Sequence, residues 1–307
     1  MKVAFFGTSD FGIPALGQLA ATHHVALCVT QPDRPQGRGL KPQPSPIREA
    51  AQRLNLPVIV PEKVREIVPQ LDALACDVGV LASYGQLVPA ALLQLPRHGI
   101  LGIHPSLLPK YRGASPIVWP LLHGDADTGV TIYRLVERLD AGEMLLQRST
   151  PIEPRETSAA LAERLAAWSG ELIIEALALL ERGTSWQAQD ESAATYAPKL
   201  TKEQGIVEWQ QRDAATIDRM VRALNPWPGV ATTWRGQPIK LWAVTPQPDR
   251  VAEKPGGTVL RASAAGIEVA TSAGVVTIES LQPAGKRRMS AAEFLAGNRL
   301  QAGDRLG

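Results

Sequence analysis

Cysteine is nearly missing from this sequence: Cys28 and Cys76 are the only two in 307 residues. Each lies in an apolar, strand-like run, and neither belongs to a C-x-x-C or a Cys/His cluster with metal-ligand spacing. The expected state is therefore buried free thiols, with no metal. Long apolar runs are also missing, mean hydropathy is near zero, and the N-terminus enters strand-like sequence directly. These features predict neither a membrane span nor a secretion signal, and they place the protein in the cytoplasm. The first strand ends in Gly7-Thr8-Ser9-Asp10-Phe11-Gly12, which lacks the G-x-G-x-x-G pattern. No acidic residue closes the second strand, where Gln31 and Pro32 stand. That argues against a nicotinamide cofactor, and no Walker-type loop is present. There is no internal repeat and no low-complexity tract.

What remains is an ordinary soluble composition, 45% hydrophobic and 20% charged, on a chain long enough for two domains with a core each. The formal charge of +2 hides an asymmetry about Pro198. Residues 1–198 carry 17 basic and 20 acidic side chains, net −3, whereas residues 199–307 carry 15 and 10, net +5. A basic C-terminal part on a mildly acidic larger part points weakly to a polyanionic partner.

The N-terminal part alternates short apolar runs (KVAFF from Lys2, HVALCV from His24, PVIV from Pro57, DVGVLAS from Asp77, ILGIH from Ile100) with helix-compatible segments. That alternation predicts βαβ units and a mostly parallel, α/β sheet. Two further runs, GVTIYRL and EMLLQRSTPI, flank turn-forming residues around Asp140, and a helix is expected over Ser158 to Glu181. We place a catalytic domain at 1–189, a linker at 190–208 and a C-terminal domain at 209–307. In the last, short β-rich pieces (GVATTW, PIKLWAV, GTVLRA, GIEVAT, VVTIES) recur with Gly and Pro between them, as in a small all-β barrel or sandwich.

Three segments could carry chemistry. The loop from Thr30 to Pro42 gathers Arg34, Arg38 and Lys41 after the second strand, where a loop over a parallel sheet's carboxyl end can touch a ligand. His104 ends an apolar strand between Gly102 and the Pro105-Ser106-Leu107-Leu108-Pro109 stretch, and its imidazole can exchange protons near neutrality. Asp140, in the turn Leu139-Asp140-Ala141-Gly142, could reach the same crevice and favour the imidazolium form.

Taken in order, these segments resemble the methionyl-tRNA formyltransferases over nearly the full chain. The resemblance rests on Gly7 to Phe11, the TQPDRPQGRG loop, His104 with Ser106-Leu107-Leu108-Pro109 and Arg112-Gly113, and the Asp140 turn. Two C-terminal signatures, Asn225-Pro226-Trp227-Pro228-Gly229 and Leu281-Gln282-Pro283-Ala284-Gly285-Lys286, complete it. It implies a Rossmann-like domain followed by an OB-like barrel, and formyl transfer from 10-formyltetrahydrofolate, a co-substrate, to the amino group of initiator methionyl-tRNA by a monomer. It also implies that His104 stabilises the developing oxyanion while Asp140 orients it, with Ser106, Leu107, Leu108 and Pro109 lining the folate pocket. For tRNA it implies Arg38 first, beside Arg34 and Lys41; in the C-terminal domain Lys286, Arg287 and Arg288 form the densest cationic run and suit phosphates. Trp227, Trp234 and Trp242 read as core more readily than as base-stacking surfaces. One position departs: the family pattern has Asn where Gly102 stands, and losing one preorganised donor costs about 10² to 10³ in turnover. The expectation is weak transfer, restored by Gly102→Asn. The alternatives are a tRNA-binding homologue with impaired catalysis, or a formyltransferase acting on a small amine.

Overall fold

The structure is a computed structural model that describes residues 1–36 and 41–307. The chain begins with β1 (Lys2–Gly7), α1 (Ile13–Thr22), β2 (His24–Val29), β3 (Arg34–Gln36), β4 (Lys41–Gln43), α2 (Pro46–Arg53), β5 (Val58–Ile59), α3 (Val68–Leu74), β6 (Val78–Ala82), α4 (Ala90–Leu93) and β7 (Ile100–His104). It continues through β8 (Arg112–Gly113), α5 (Val118–His123), β9 (Asp127–Arg134), β10 (Met144–Pro151), α6 (Ser158–Arg182) and β11 (Tyr196–Ala197). The remainder is α7 (Ala214–Leu224), β12 (Val230–Trp234), β13 (Gln237–Gln247), β14 (Val259–Ser263), β15 (Gly266–Ala270), β16 (Val275–Pro283), β17 (Met289–Ser290) and α8 (Ala291–Gly297).

Two compact units emerge. One contains Met1–Ile117, Asp127–Pro151 and Ala160–Pro198; the other contains Val118–Ala126, Ile152–Ala159 and Lys199–Gly307. The segment expected as a linker, 190–208, is thus divided at Pro198. Up to that residue it belongs to the first unit, where β11 pairs in parallel with β8.

The first unit is a seven-stranded sheet in the order β10-β9-β7-β6-β1-β2-β5. The five strands from β7 to β5 are parallel, as the alternating pattern predicts, while β9 runs antiparallel to β7 and β10 antiparallel to β9. Val3, Ala4, Phe5 and Phe6 are all fully buried, which explains why β1 reads as an unbroken apolar run: both faces of the sheet are covered. The expected helix is α6, and its buried Leu161, Leu165, Leu172, Leu177 and Leu180 recur at helical spacing. Gly170 lets that helix approach α1, since a Cβ there would stand 3.0 Å from the Pro14 carbonyl oxygen. The sheet's topology brings β7 to its carboxyl end at His104, on the edge where parallel α/β sheets place ligands.

In the second unit the antiparallel order is β12-β13-β16-β15-β14, with β17 added to β16. The ladder is open. Residues near the C-terminus bond to both of its ends, through the bridges Thr258↔Arg305 and Trp234↔Leu306. α7 is amphipathic, with Ile217, Met220, Val221 and Leu224 buried and Asp213 capping it by accepting from the Thr216 N–H at 2.6 Å. Both cysteines are free and buried, and burial pushes the Cys28 thiol up to about 12. No helix among the described residues is long and apolar enough to cross a membrane.

Candidate active site

His104 is 5% exposed and held by two elements. Its Nε2 lies 2.9 Å from the Tyr111 carbonyl oxygen, which can only accept, so that nitrogen carries the hydrogen in the neutral ring. Nδ1 then presents a lone pair. It faces Asp140 Oδ2 at 3.8 Å, too far for a hydrogen bond but close enough for charge to matter. Burial lowers the His104 pKa below its ordinary value, outweighing the upward pulls of Asp140 and of the Tyr111 carbonyl. Asp140 does favour the imidazolium, as expected, but desolvation is the larger effect and the pKa stays below its ordinary value, so the resting ring is neutral.

Asp140 is reached through a turn in which it adopts φ +49, a left-handed conformation that Asp tolerates better than most residues. Its two oxygens have separate donors. The Gly113 N–H donates to Oδ2 at 2.7 Å and the Tyr133 hydroxyl donates to Oδ1 at 2.5 Å. The turn itself is tied from below by Gln189, whose Nε2 donates to the carbonyls of Asp140 and Gly142 at 2.8 and 2.7 Å. Gln189 Oε1 in turn accepts from the fully buried Arg112, and Arg112 forms a two-point contact with Glu191 at 2.9 and 3.1 Å. Arg112 and Arg138 together hold the Glu191 carboxyl down at about 2. Tyr133, Tyr111, Gln189 and Glu191 were not singled out from sequence. The last two fall at the border of the expected linker, where polar composition looked like solvated chain.

The four residues expected to line a folate pocket form a turn just past His104. Ser106 is fully buried, its hydroxyl donating to the Lys110 carbonyl at 2.6 Å, and Leu108 packs with Tyr133 and Met144. The Thr131 hydroxyl donates to the Ser106 carbonyl at 2.7 Å and the Leu108 N–H donates back to it at 3.2 Å. Leu107 and Pro109 are the half-buried members. The sequence therefore splits this stretch into two residues that fasten the turn and two that can meet a ligand.

Gly102 is buried two residues before His104, opposite Tyr133 in the β7–β9 register. A Cβ built on it would stand 2.4 Å from Tyr133 Cε1 and 2.5 Å from Leu135 Cδ1. The space an asparagine would need is taken by the Tyr133 ring and the Leu135 side chain, so Gly102→Asn requires both to move.

Of the expected tRNA contacts, Arg34 and Lys41 lie on the antiparallel β3–β4 pair, and Arg38 lies outside the described residues. In the second unit Lys286, Arg287 and Arg288 are all exposed. Arg287 pairs with Glu293 at 2.6 Å, while Arg288 donates to the Ser280 hydroxyl at 2.9 Å and lies over the Trp242 ring. Arg288 and Trp242 share a cavity of about 370 Å³ with Arg155, Arg222 and Asn225. Asn225 explains one of the C-terminal signatures: it is buried, and its amide donates to the Val221 and Leu241 carbonyls at 2.9 and 3.0 Å, joining α7 to β13. Trp234 packs edge-on to Phe294 as a core residue would. Trp227 does not fit that reading, being 52% exposed.

Comparison with known proteins agrees with this geometry. Residues 1–177 match the formyl transferase family model and residues 199–299 match the formyl transferase C-terminal domain. A methionyl-tRNA formyltransferase of Thiobacillus denitrificans is 45% identical over 310 residues, covering 100% of both chains. One from Roseiflexus castenholzii is 43% identical over 312 residues, covering 100% of this chain and 99% of the relative. Among solved structures, the N-formyltransferase of Helicobacter canadensis in complex with folinic acid and dTDP-3-aminofucose superposes with a TM-score of 0.68 at 14% identity, over 91% of this chain and 99% of that one. HypX of Aquifex aeolicus in complex with tetrahydrofolic acid superposes at 0.63 and 20% identity, over 96% of this chain and 47% of that one, so these two speak for the fold. With both domain models matched in order and relatives this similar from end to end, the chain belongs to the methionyl-tRNA formyltransferase family.

Proposed function

We infer that the chain transfers the formyl group of 10-formyltetrahydrofolate to the amino group of initiator methionyl-tRNA, giving formylmethionyl-tRNA for translation initiation. The observation that carries this reading is the buried His104–Asp140 pair at the carboxyl end of β7, in a chain of this family. The folate co-substrate supplies the formyl carbon to be attacked. The attacking α-amino group has a pKa of roughly 7.7 to 8.0, so a usable neutral fraction exists near neutrality. His104 Nδ1, free of a hydrogen, takes the proton the amine sheds as the new N–C bond forms. The ring then carries a positive charge, which stabilises the negative oxygen developing on the formyl carbon and is itself balanced by Asp140. Passing that proton to the leaving folate nitrogen as its C–N bond breaks restores the neutral histidine, so one group serves as base, electrostatic partner and acid.

Leu107 and Pro109, half-buried beside His104, fit the flat, largely apolar ring system of a folate. Ser106 and Leu108 act behind them by holding the turn. For tRNA, Lys286, Arg287 and Arg288 meet phosphates, with Arg34, Arg38 and Lys41 serving the loop in the first unit. The bridges from the C-terminal residues to both ends of the second unit's sheet support reading it as an OB-like barrel. A monomer acting in the cytoplasm completes the proposal. A small amine as acceptor would leave the basic second unit without a use.

Incubating the protein with labelled formyl-folate and either charged initiator tRNA or small amines tests the reading. Label should enter methionyl-tRNA and not uncharged tRNA. Labelling of a small amine, never of methionyl-tRNA, would overturn it.

A further inference from the structure

We propose that Tyr133 is the positioning residue of this site and that Gly102 is the recess built to receive it; the proposal rests on the reading of His104 and Asp140 as the catalytic pair. Gly102 and His104, two apart on β7, project to one face of the sheet, and Tyr133 stands directly opposite Gly102 on β9, so the three share that face. The ring lies across the glycine backbone, close enough that a Cβ would meet Cε1 at 2.4 Å and Cζ at 2.6 Å. It presents an edge to His104, with ring centroids 6.2 Å apart at an interplanar angle of 86°. From there its hydroxyl reaches Asp140 Oδ1 at 2.5 Å. A side chain at position 102 and a tyrosine in this pose are mutually exclusive.

The consequence for Asp140 is geometric. With Oδ2 on the Gly113 N–H and Oδ1 on the Tyr133 hydroxyl, the carboxylate cannot turn about its bond, and Oδ2 stays pointed at His104 Nδ1. Burial and the neighbouring carboxylate push the Tyr133 phenol well up, so it remains a hydrogen donor throughout the working range. The titratable groups facing Asp140 are His104 from β7 and Tyr133 from β9. Arg112 and Glu191 join its turn indirectly, through Gln189. Tyr133 thus fixes Asp140 from the neighbouring strand, through the space that a side chain at 102 would fill. The pair Gly102 and Tyr133 must change together.

The test compares Tyr133→Phe, Gly102→Ala and the double variant with wild type in formyl transfer to methionyl-tRNA, with His104→Ala in the same assay. Tyr133→Phe keeps the ring and should keep the fold. A hydrogen bond to a charged group is lost, so kcat should fall about 10- to 100-fold while KM for both substrates stays within about threefold. Without the hydroxyl less of the carboxylate's charge is taken up by a donor and more of it acts on the imidazolium, so the acidic limb of the pH–rate profile should move to higher pH, a change that a purely structural role would not produce. Gly102→Ala displaces the ring and should show the same defect, and the double variant should be no worse than Gly102→Ala alone, because both act through one contact. Wild-type kcat and pH profile in Tyr133→Phe, with His104→Ala inactive, would overturn the proposal and leave the catalytic pair standing. Full activity in His104→Ala would overturn the pair and the proposal together.

Discussion

The two units handle their candidate functional side chains in opposite ways. In the first, His104, Arg112 and Tyr133 are withdrawn from water, and each is committed to a named partner. In the second, Lys286, Arg287 and Arg288 lie exposed; Arg287 already has Glu293 as a counter-ion, and Arg288 shares Trp242 with Lys240. A buried polar group left without its partner is costly, so each member of the first set has little redundancy. Exposed cations are screened by salt and replaceable by neighbours, so the second set acts by number. On the proposed function, the first set serves a reaction at a point and the second a long charged partner.

The sharpest way to break that contrast is at His104. Replacing it with alanine should lower kcat about 10³-fold, as removal of a general base does, with tRNA affinity unchanged in a filter-binding measurement. Next in size is Arg112→Ala. It strips Gln189 Oε1 of its buried donor and loosens the Asp140 turn, and should cost about 2 kcal/mol in chemical unfolding, with a fall in kcat but not in tRNA binding. Changing Lys286, Arg287 and Arg288 together to alanine should raise the Kd for tRNA roughly tenfold and reduce the slope of log Kd against log salt, while single changes move it only a few-fold. Arg287→Ala should be the mildest, because its guanidinium is partly neutralised by Glu293.

The smallest effect is on acid stability. The folded-state pKa of His104 lies below its unfolded value of about 6.5, so its contribution to stability is fully present above that pH and is lost as pH falls through the lowered folded value, where the unfolded chain binds the proton more readily. His104→Gln should flatten that part of a stability-against-pH curve measured by urea unfolding.

Much of this was legible in the residues. The five apolar runs of the N-terminal part are β1, β2, β5, β6 and β7; all but the half-buried edge strand β5 are buried on both faces and cannot disguise their hydrophobicity. His104 and Asp140 were visible because each sits at a punctuated strand end or turn. Tyr133 was not. Its importance depends on β9 running antiparallel to β7 with Gly102 in register, a long-range pairing that local periodicity does not encode. The same reason hid the occupied space at Gly102: a missing side chain reads as a missing function until the neighbouring strand is placed. Gln189 and Glu191 were missed because a polar stretch after a long helix looks like linker, and nothing local marks its return to Arg112. α7 also escaped notice, although Asp213 and the apolar spacing behind it are a helix-start signal.

The division of labour between the units is tested most directly by single-turnover formyl transfer at saturating methionyl-tRNA, paired with tRNA binding, for His104→Ala and for the Lys286/Arg287/Arg288 triple alanine variant. The transfer step should collapse in the first with binding intact. In the second, binding should weaken with a shallower salt dependence while the transfer step keeps its wild-type rate. A triple variant that binds tRNA normally but transfers slowly, or a His104→Ala protein that transfers at the wild-type rate, would contradict it.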